Sequence, residues 1–386
     1  MPPARPARVV VASRIFAPEP AAAAYRLRAL ADGLSRVGAR VRVLTSRVPG
    51  DRATTAGVSR WPVLRDASGA VRGYLPYASF DLPLIGRLLT GPRPDVVVVE
   101  PPPTTGVAVA LACALRRLPY VYYAADLLSA AAEGSGVNPA VVRALTTVEG
   151  AVLRRAEHVL TVSAGVADRI HAFGVEPDRV TVVGSGVDTG SFSPGPAPQG
   201  SDLVYAGTMS EVHGAGVFVE AFARIAAEHP EARLVMFGGG VDRERMIARA
   251  AELVPGRVDF PGVVPAARVA EAFRTARAGL ASLRPGGGYE FAFVTKVFAA
   301  TACGAPVVYA GPGPCADLVR DNDLGWAVPH DVDVVAQAMG AALGARDTDE
   351  DRARRAAWTR REASLDAVAA RATATVLDVV ESAGRS

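Results

Sequence analysis

Apolar residues along the chain fall into two alternating kinds of run. Short unbroken stretches, "RVVVAS" (8–13), "RVRVLTS" (41–47), "DVVVVE" (95–100), "PYVYYAAD" (119–126), "HVLTVS" (158–163) and "RVTVVGSG" (179–186), suit strands of a parallel sheet. Between them apolar residues recur at helical spacing over 23–38, 104–117, 139–156 and 164–173, with Gly38 as a stop. "TGSFSPGPAPQGSD" (189–202) has no period and is dense in Gly, Pro and Ser, so it reads as a linker. The alternation then resumes, with strands at 203–208, 233–239, 258–264, 278–283, 305–311 and 325–329, and helices at 215–228, 242–252, 266–276 and 295–303. A long Arg- and Ala-rich helical pattern around Trp358 closes the chain. Strand after helix implies parallel sheets covered on both faces. The expectation is an α/β protein of two Rossmann-like domains facing a cleft, residues 1–195 and 196–350, with a closing helix over 351–386 that crosses back to the first.

Composition narrows the class. The chain has 386 residues and 50% hydrophobic content, enough for two large cores, and its longest apolar stretch, 106–115, is short of the roughly 20 residues that span a bilayer. With no secretion signal at the N-terminus, a cytoplasmic address is expected. Cys113, Cys303 and Cys315 have spacings that fit neither a metal site nor a disulfide framework, and are expected to be packing residues. The net charge of +3 is too small to argue for nucleic acid. It is uneven, however: 22 Arg against 15 Asp plus Glu in residues 1–195 gives +7, and the rest carries −4. The front half either suits an anionic partner, a membrane surface or an acidic acceptor, or carries arginines that simply decorate solvated helix faces.

In a parallel sheet ligands sit at the carboxyl ends of the strands, so the chemistry is expected in the loops there. "APEPAAAAYR" (17–26) places Pro20, Ala21, Ala22 and Tyr25 at a helix start, where small side chains let an anion approach the main-chain N–H groups. "YAGTMSEVHGAG" (205–216) opens the second half with Gly207, Thr208 and His213, and "MFGGGVD" (236–242) adds Gly238 and Gly239. His213 is either a donor to a phosphate or an ordinary solvated histidine. Glu290, after the glycine run 286–288 and Tyr289, is either an acceptor for a sugar or ribose hydroxyl or an idle exposed loop carboxylate. Lys296 is the only lysine in the chain, where 41 other basic positions are arginine. A lysine is a compact point charge with three donors, suited to a diphosphate, so its survival here is either chance or need.

Four stretches resemble one family. "VVVVEPPPTTGVAVALACAL" is similar to its strand, Pro turn and helix, and "YVYYAADLLSAAAEGSG" to its "DLWP" region. "VEGAVLRRAEHVLTVSAGVADRIHAFGVEPDRVTVVGSGVDTGSF" is similar to its run through V-S into N-G-V-D, and "TKVFAATACGAPVV" to its "PSKxFEYMAxGxPVV". The family is the retaining glycosyltransferases of GT-B fold, family four (group 1 type), and the resemblance covers about 8–340. It implies a metal-independent, retaining hexosyltransferase, without cofactor, that moves a sugar from a nucleoside diphosphate to a small-molecule or lipid-linked acceptor, in natural-product or surface-glycan synthesis. Donor contacts are then Gly207, Thr208, His213, Gly238, Gly239, Glu290 and Lys296, and acceptor contacts Pro20, Ala21, Ala22 and Tyr25. Lys296 would stabilise charge on the leaving diphosphate, and Asp126, matching the aspartate of "DLWP", either touches acceptor or sugar or simply caps a helix.

Departures from the pattern leave a second function open. The glutamate that commonly holds the ribose is Ala299, the first-loop glycines are alanines at 21–24, and Thr208 and His213 stand where many members have Arg and Lys. A catalytically degenerate protein that binds a sugar nucleotide or a partner is the alternative. A sugar-nucleotide epimerase of similar fold is disfavoured by the 149–192 match.

Overall fold

In the computed structural model the residues described are 5–19, 21–50, 55–66, 69–71, 73–133, 138–195, 200–286, 290 and 293–385. The chain forms two compact units, residues 1–184 with 368–386, and residues 185–367. The Gly/Pro-rich stretch at 189–202 thus belongs to the second unit.

The first unit is built on seven parallel strands in the order β3-β2-β1-β4-β5-β6-β7. The chain passes through β1 (Arg8–Ala12), α1 (Ala22–Arg36), β2 (Arg40–Ser46), β3 (Val58–Trp61), α2 (Tyr74–Thr90), β4 (Val96–Val99), α3 (Pro103–Arg116), β5 (Tyr120–Ala124), α4 (Leu128–Glu133), α5 (Pro139–Arg155), β6 (His158–Thr161), α6 (Ala164–Ala172) and β7 (Val180–Val182). The valine run of β4 pairs with β1 and β5 and is completely buried, which is why that stretch carries no alternation of apolar and polar residues. Each such valine contributes about 1.5–3 kcal/mol of hydrophobic burial.

The second unit has six parallel strands in the order β10-β9-β8-β11-β12-β13. They are β8 (Asp202–Ala206), β9 (Arg233–Phe237), β10 (Val258–Gly262), β11 (Ala278–Ser282), β12 (Val307–Ala310) and β13 (Gly325–Val328). The helices are α7 (Gly216–Ile225), α8 (Arg243–Leu253), α9 (Ala266–Thr275), α10 (Lys296–Ala302), α11 (Pro314–Asp321), α12 (Val332–Gly344) and α13 (Asp349–Glu362). Its sheet is packed on both faces: Tyr205 lies in the cluster with Phe218, Phe222 and Met339, while its neighbour Val204 lies with Phe273, Val297 and Phe298.

The closing segment, expected as one helix over 351–386, is two. The main chain between them is taken up by Val187, whose N–H donates to Ala363 O at 2.9 Å and whose carbonyl accepts from Leu365 N at 2.9 Å, so residues 363–365 cannot continue the helix. Beyond this break α14 (Leu365–Arg385) has residues 365–367 in the second unit and the rest in the first. There it lies close against α1, where a Cβ on Gly33 would sit 2.9 Å from Thr373 Oγ1, and Arg371 Nε donates to Val183 O at 2.9 Å.

α13 anchors the helix that begins with Lys296. Arg352, 1% exposed, donates to Ala276 O (3.4 Å) and Cys303 O (3.4 Å) just past the ends of α9 and α10, and pairs with Asp347 at 3.1 Å. Arg355 donates to Gly304 O at 2.8 Å and also pairs with Asp347. The carbonyls left open at helix ends are met by guanidinium groups. Among the described residues no helix is long and apolar enough to cross a membrane, and all three cysteines are buried and unpaired.

Candidate functional site

The carboxyl ends of β8 and β9 meet in glycine. A Cβ on Gly238 would fall 2.1 Å from Gly207 O, and one on Gly240 2.1 Å from Met209 O, so the two loops touch main chain to main chain. Hydrogen bonds lock the contact: Gly207 N donates to Phe237 O (3.0 Å) and Met209 N to Gly239 O (2.8 Å). Tyr205 Oη, reaching back from β8, donates to Thr208 O at 2.7 Å. The Thr208 carbonyl is thus taken up within the loop while its side chain is exposed, and the floor is one that only glycine could line.

Lys296, the first residue of α10, lies across this floor. A Cβ on Gly207 would stand 2.0 Å from its Cε and 3.1 Å from its Nζ, and Nζ is 5.8 Å from the centre of the Tyr205 ring. Among the described residues no carboxylate pairs with it. Burial pushes its ammonium down to about 8, so it still carries charge at neutral pH. His213 is held by Ser210 Oγ to Nδ1 at 2.9 Å, and burial, reinforced by the charge of Lys296, pushes it down to about 4. It is a neutral imidazole at pH 7. Glu290 Oε1 accepts from Gly286 N at 2.6 Å, so that carboxylate oxygen is tied to its own loop. The structure thus brings Gly207, Thr208, His213, Gly238, Gly239 and Lys296 together, while Tyr289 lies outside the described residues.

In the first unit Pro20 lies outside the described residues. Ala21 and Ala22 stand at the start of α1 without a side-chain cap, and Tyr25, one turn on, is 52% exposed. Asp126 follows β5. The cap it was one candidate for is supplied by another residue: Glu149 of α5 accepts from Leu128 N (2.9 Å) and Ser129 N (3.0 Å) at the start of α4. Asp126 faces solvent on one side, yet burial on the other raises its carboxyl above the usual range, opposed by Arg26.

Arg26 and Glu100 were not singled out by sequence reasoning. Arg26 of α1 forms an ion pair with Glu100 at the end of β4, its guanidinium lies 5.1 Å from the Tyr123 ring centre, and Ser13 Oγ lies 3.5 Å from Glu100 Oε2. Burial raises the Glu100 carboxyl and Arg26 works against it. The signal was present in "VVVVE", where a carboxylate ends a fully buried strand at the edge where ligands bind. Among the described residues no group of three or more His, Cys, Asp or Glu could hold a metal ion.

A D-inositol 3-phosphate glycosyltransferase of Acidothermus cellulolyticus is 32% identical over 195 residues, which is 45% of this chain and 42% of that one. The chain spans about half the length of the curated relatives it matches. A sucrose-phosphate synthase of Thermosynechococcus elongatus superposes with a TM-score of 0.77 at 16% identity, over 97% of this chain and 100% of that one. The Anabaena protein HepE, solved in complex with UDP and glucose, does so with a TM-score of 0.68 at 15% identity, over 96% and 99%. At such identities these structures establish the GT-B fold of two Rossmann-like domains and no more. Residues 21–186 match the glycosyl transferase 4-like domain and residues 200–344 match glycosyl transferases group 1, and the chain belongs to that glycosyltransferase family.

Proposed function

We propose that this protein is a retaining transferase that moves a sugar from a nucleoside diphosphate held by the second unit to a hydroxyl group of an acceptor held by the first. The observation that carries the reading is Lys296, a crowded ammonium without a carboxylate partner among the described residues, laid over the glycine floor of Gly207 and Gly238. A cation so placed meets the charge that develops on a departing diphosphate, and it is worth more there than in water. Neutral His213 adds a hydrogen-bonding group beside it without adding charge. In this reading the protein's own cation takes the place of a divalent metal.

The step balances without a cofactor. The bond between the sugar's anomeric carbon and the phosphate oxygen breaks, a bond to the acceptor oxygen forms on the same face, and the acceptor's proton passes to the departing phosphate oxygen. Asp126 orients the acceptor hydroxyl, and Arg26, anchored on Glu100, holds its charge. HepE's bound UDP supports a uridine donor, and the inositol phosphate transferases among the relatives support a phosphorylated polyol as acceptor.

One observation favours a binder without transfer: Ala299 offers no carboxylate where the family commonly holds the ribose. The test is a thermal-shift panel of UDP, GDP, ADP and dTDP with wild type and Lys296→Ala, followed by donor turnover with inositol phosphate. A nucleotide that stabilises the wild type but not the variant, together with release of nucleoside diphosphate, supports the transferase. Stabilisation without turnover supports the binder, and no stabilisation by any nucleotide overturns both.

A further inference from the structure

The turn that carries Asp126 is fastened on both sides of it, and not by the aspartate itself. Before it, Ala124 O accepts from Thr161 Oγ1 at 3.0 Å, in the register that pairs β5 with β6. After it, Leu128 N (2.9 Å) and Ser129 N (3.0 Å) donate to the carboxylate of Glu149, and Ser129 Oγ donates to it as well. Between these anchors Ala125 and Leu127 are 9% and 3% exposed, while Asp126 is open to solvent.

Glu149 comes from α5, which packs against α4, and it is completely buried. A buried carboxylate is costly unless donors meet its oxygens, and the start of α4 supplies them. Which donors they are has a consequence for Asp126. An aspartate at a helix start ordinarily turns its carboxylate onto the N–H groups two and three residues further on. From position 126 these are the N–H groups of Leu128 and Ser129, and Glu149 has taken both. The charged groups that face Asp126 among the described residues are Arg26 of α1 and Glu100 at the end of β4, while Tyr122 of β5 faces Glu149.

We propose that Glu149 is a positioning residue: by occupying the main-chain donors at the start of α4, it keeps the Asp126 carboxylate free to orient the acceptor hydroxyl. The inference rests on the transferase reading for what Asp126 does, and on the hydrogen bonds for what keeps it free. It also accounts for a cap that comes from another helix. Leu127, just before α4, is apolar and cannot cap, and a cap made by Asp126 would consume the group that the transfer uses.

Two substitutions loosen the hold in different ways. Glu149→Gln keeps the shape and removes the charge, whereas Glu149→Asp keeps the charge and draws the carboxylate back by one methylene. In both, Asp126 is expected to close onto the N–H groups left open. Hydrogen bonds to the ionised form favour it, so carbon-13 NMR should show the Asp126 carboxyl titrating about one pH unit lower than in the wild type. Nucleoside diphosphate release above the acid limb should fall by about tenfold to a hundredfold, the scale for a misplaced orienting group, with UDP affinity unchanged. Because the effect runs through Asp126, adding Glu149→Gln to Asp126→Asn should slow turnover no further. Chemical denaturation identifies the variants that fold, and either one alone carries the test. Folded variants that titrate and turn over like the wild type overturn the proposal, as do losses that multiply with that of Asp126→Asn. A shift confined to Glu149→Gln with turnover intact is an effect of charge alone and overturns it too. The titration needs no donor, so shifted variants of a wild type that releases no nucleoside diphosphate would remove the transferase reading and leave the hold on Asp126 standing.

Discussion

Lys296 lies directly over Gly207: the lysine Cε occupies space 2.0 Å from where a Cβ on that glycine would be. Gly207→Ala therefore has to push the ammonium off the floor, and it also strains a φ of 155°. The expected result is a loss of nucleoside diphosphate affinity of about 1.5–3 kcal/mol, the scale of a hydrogen bond to a charged group. Because the mutation acts through the lysine, the double variant Gly207→Ala, Lys296→Ala should bind no worse than Lys296→Ala alone. Calorimetry with UDP measures this, and additive losses would show that the glycine acts on the nucleotide directly.

The same ammonium gives donor binding a dependence on pH. Its value in the fold is lowered by burial to about 8, so the charged form is lost as pH rises through that point. A bound diphosphate holds the proton on, and affinity should fall about tenfold for each pH unit above about 8. The unliganded protein behaves in the opposite sense. Its unfolded state binds more protons than the folded one between about 8 and the ordinary lysine value of 10.5, so this residue adds stability across that window as pH rises. Lys296→Met should abolish both trends; a nucleotide affinity flat from pH 7 to 10 in the wild type would remove the lysine from the site.

Arg352 supports the site from behind. Its guanidinium meets carbonyls past the ends of α9 and α10 and half of the Asp347 charge, all in a buried setting. Arg352→Met is expected to cost about 3–5 kcal/mol, as when one partner of a buried pair is removed. Chemical denaturation reads the loss, and one below about 1 kcal/mol would mean that Arg355 and the Thr301–Thr359 hydrogen bond hold α13 to α10 without it.

The elements that the hydrophobic pattern made legible are those with one physical environment along their length. The valine run 96–99 is buried on both faces and the α1 periodicity buries one, so each left a clear signature. α2 went unread because it is apolar all round and interrupted by Pro76, Pro83 and Gly86, so no amphipathic period stands out over 74–90. The break between α13 and α14 depends on Val187, far away in sequence, and no local signal marks it. In the site the sole lysine and the glycine loops could be found, since their composition is unusual in itself. Arg26 and Glu149 could not, because each acts on a partner that only the folded sheet brings near.

Asp126 is the last test, and Arg26 supplies its sign. Burial raises the Asp126 carboxyl and Arg26 opposes that rise, while Glu100 pairs with Arg26. If ionised Asp126 orients the acceptor, turnover is lost as pH falls through its value. Arg26→Met removes the opposing charge and should move this acid limb upward by about one unit. Glu100→Gln leaves Arg26 with Asp126 as its remaining carboxylate and should move the limb down. Asp126→Asn should remove the limb and cut turnover about a hundredfold or more, the scale of general acid–base and orienting groups, with UDP affinity unchanged. A merely structural role for Arg26 would shift stability in the first two variants without moving the limb in opposite directions. Release of nucleoside diphosphate, followed between pH 4 and 8 for the four proteins, separates the two.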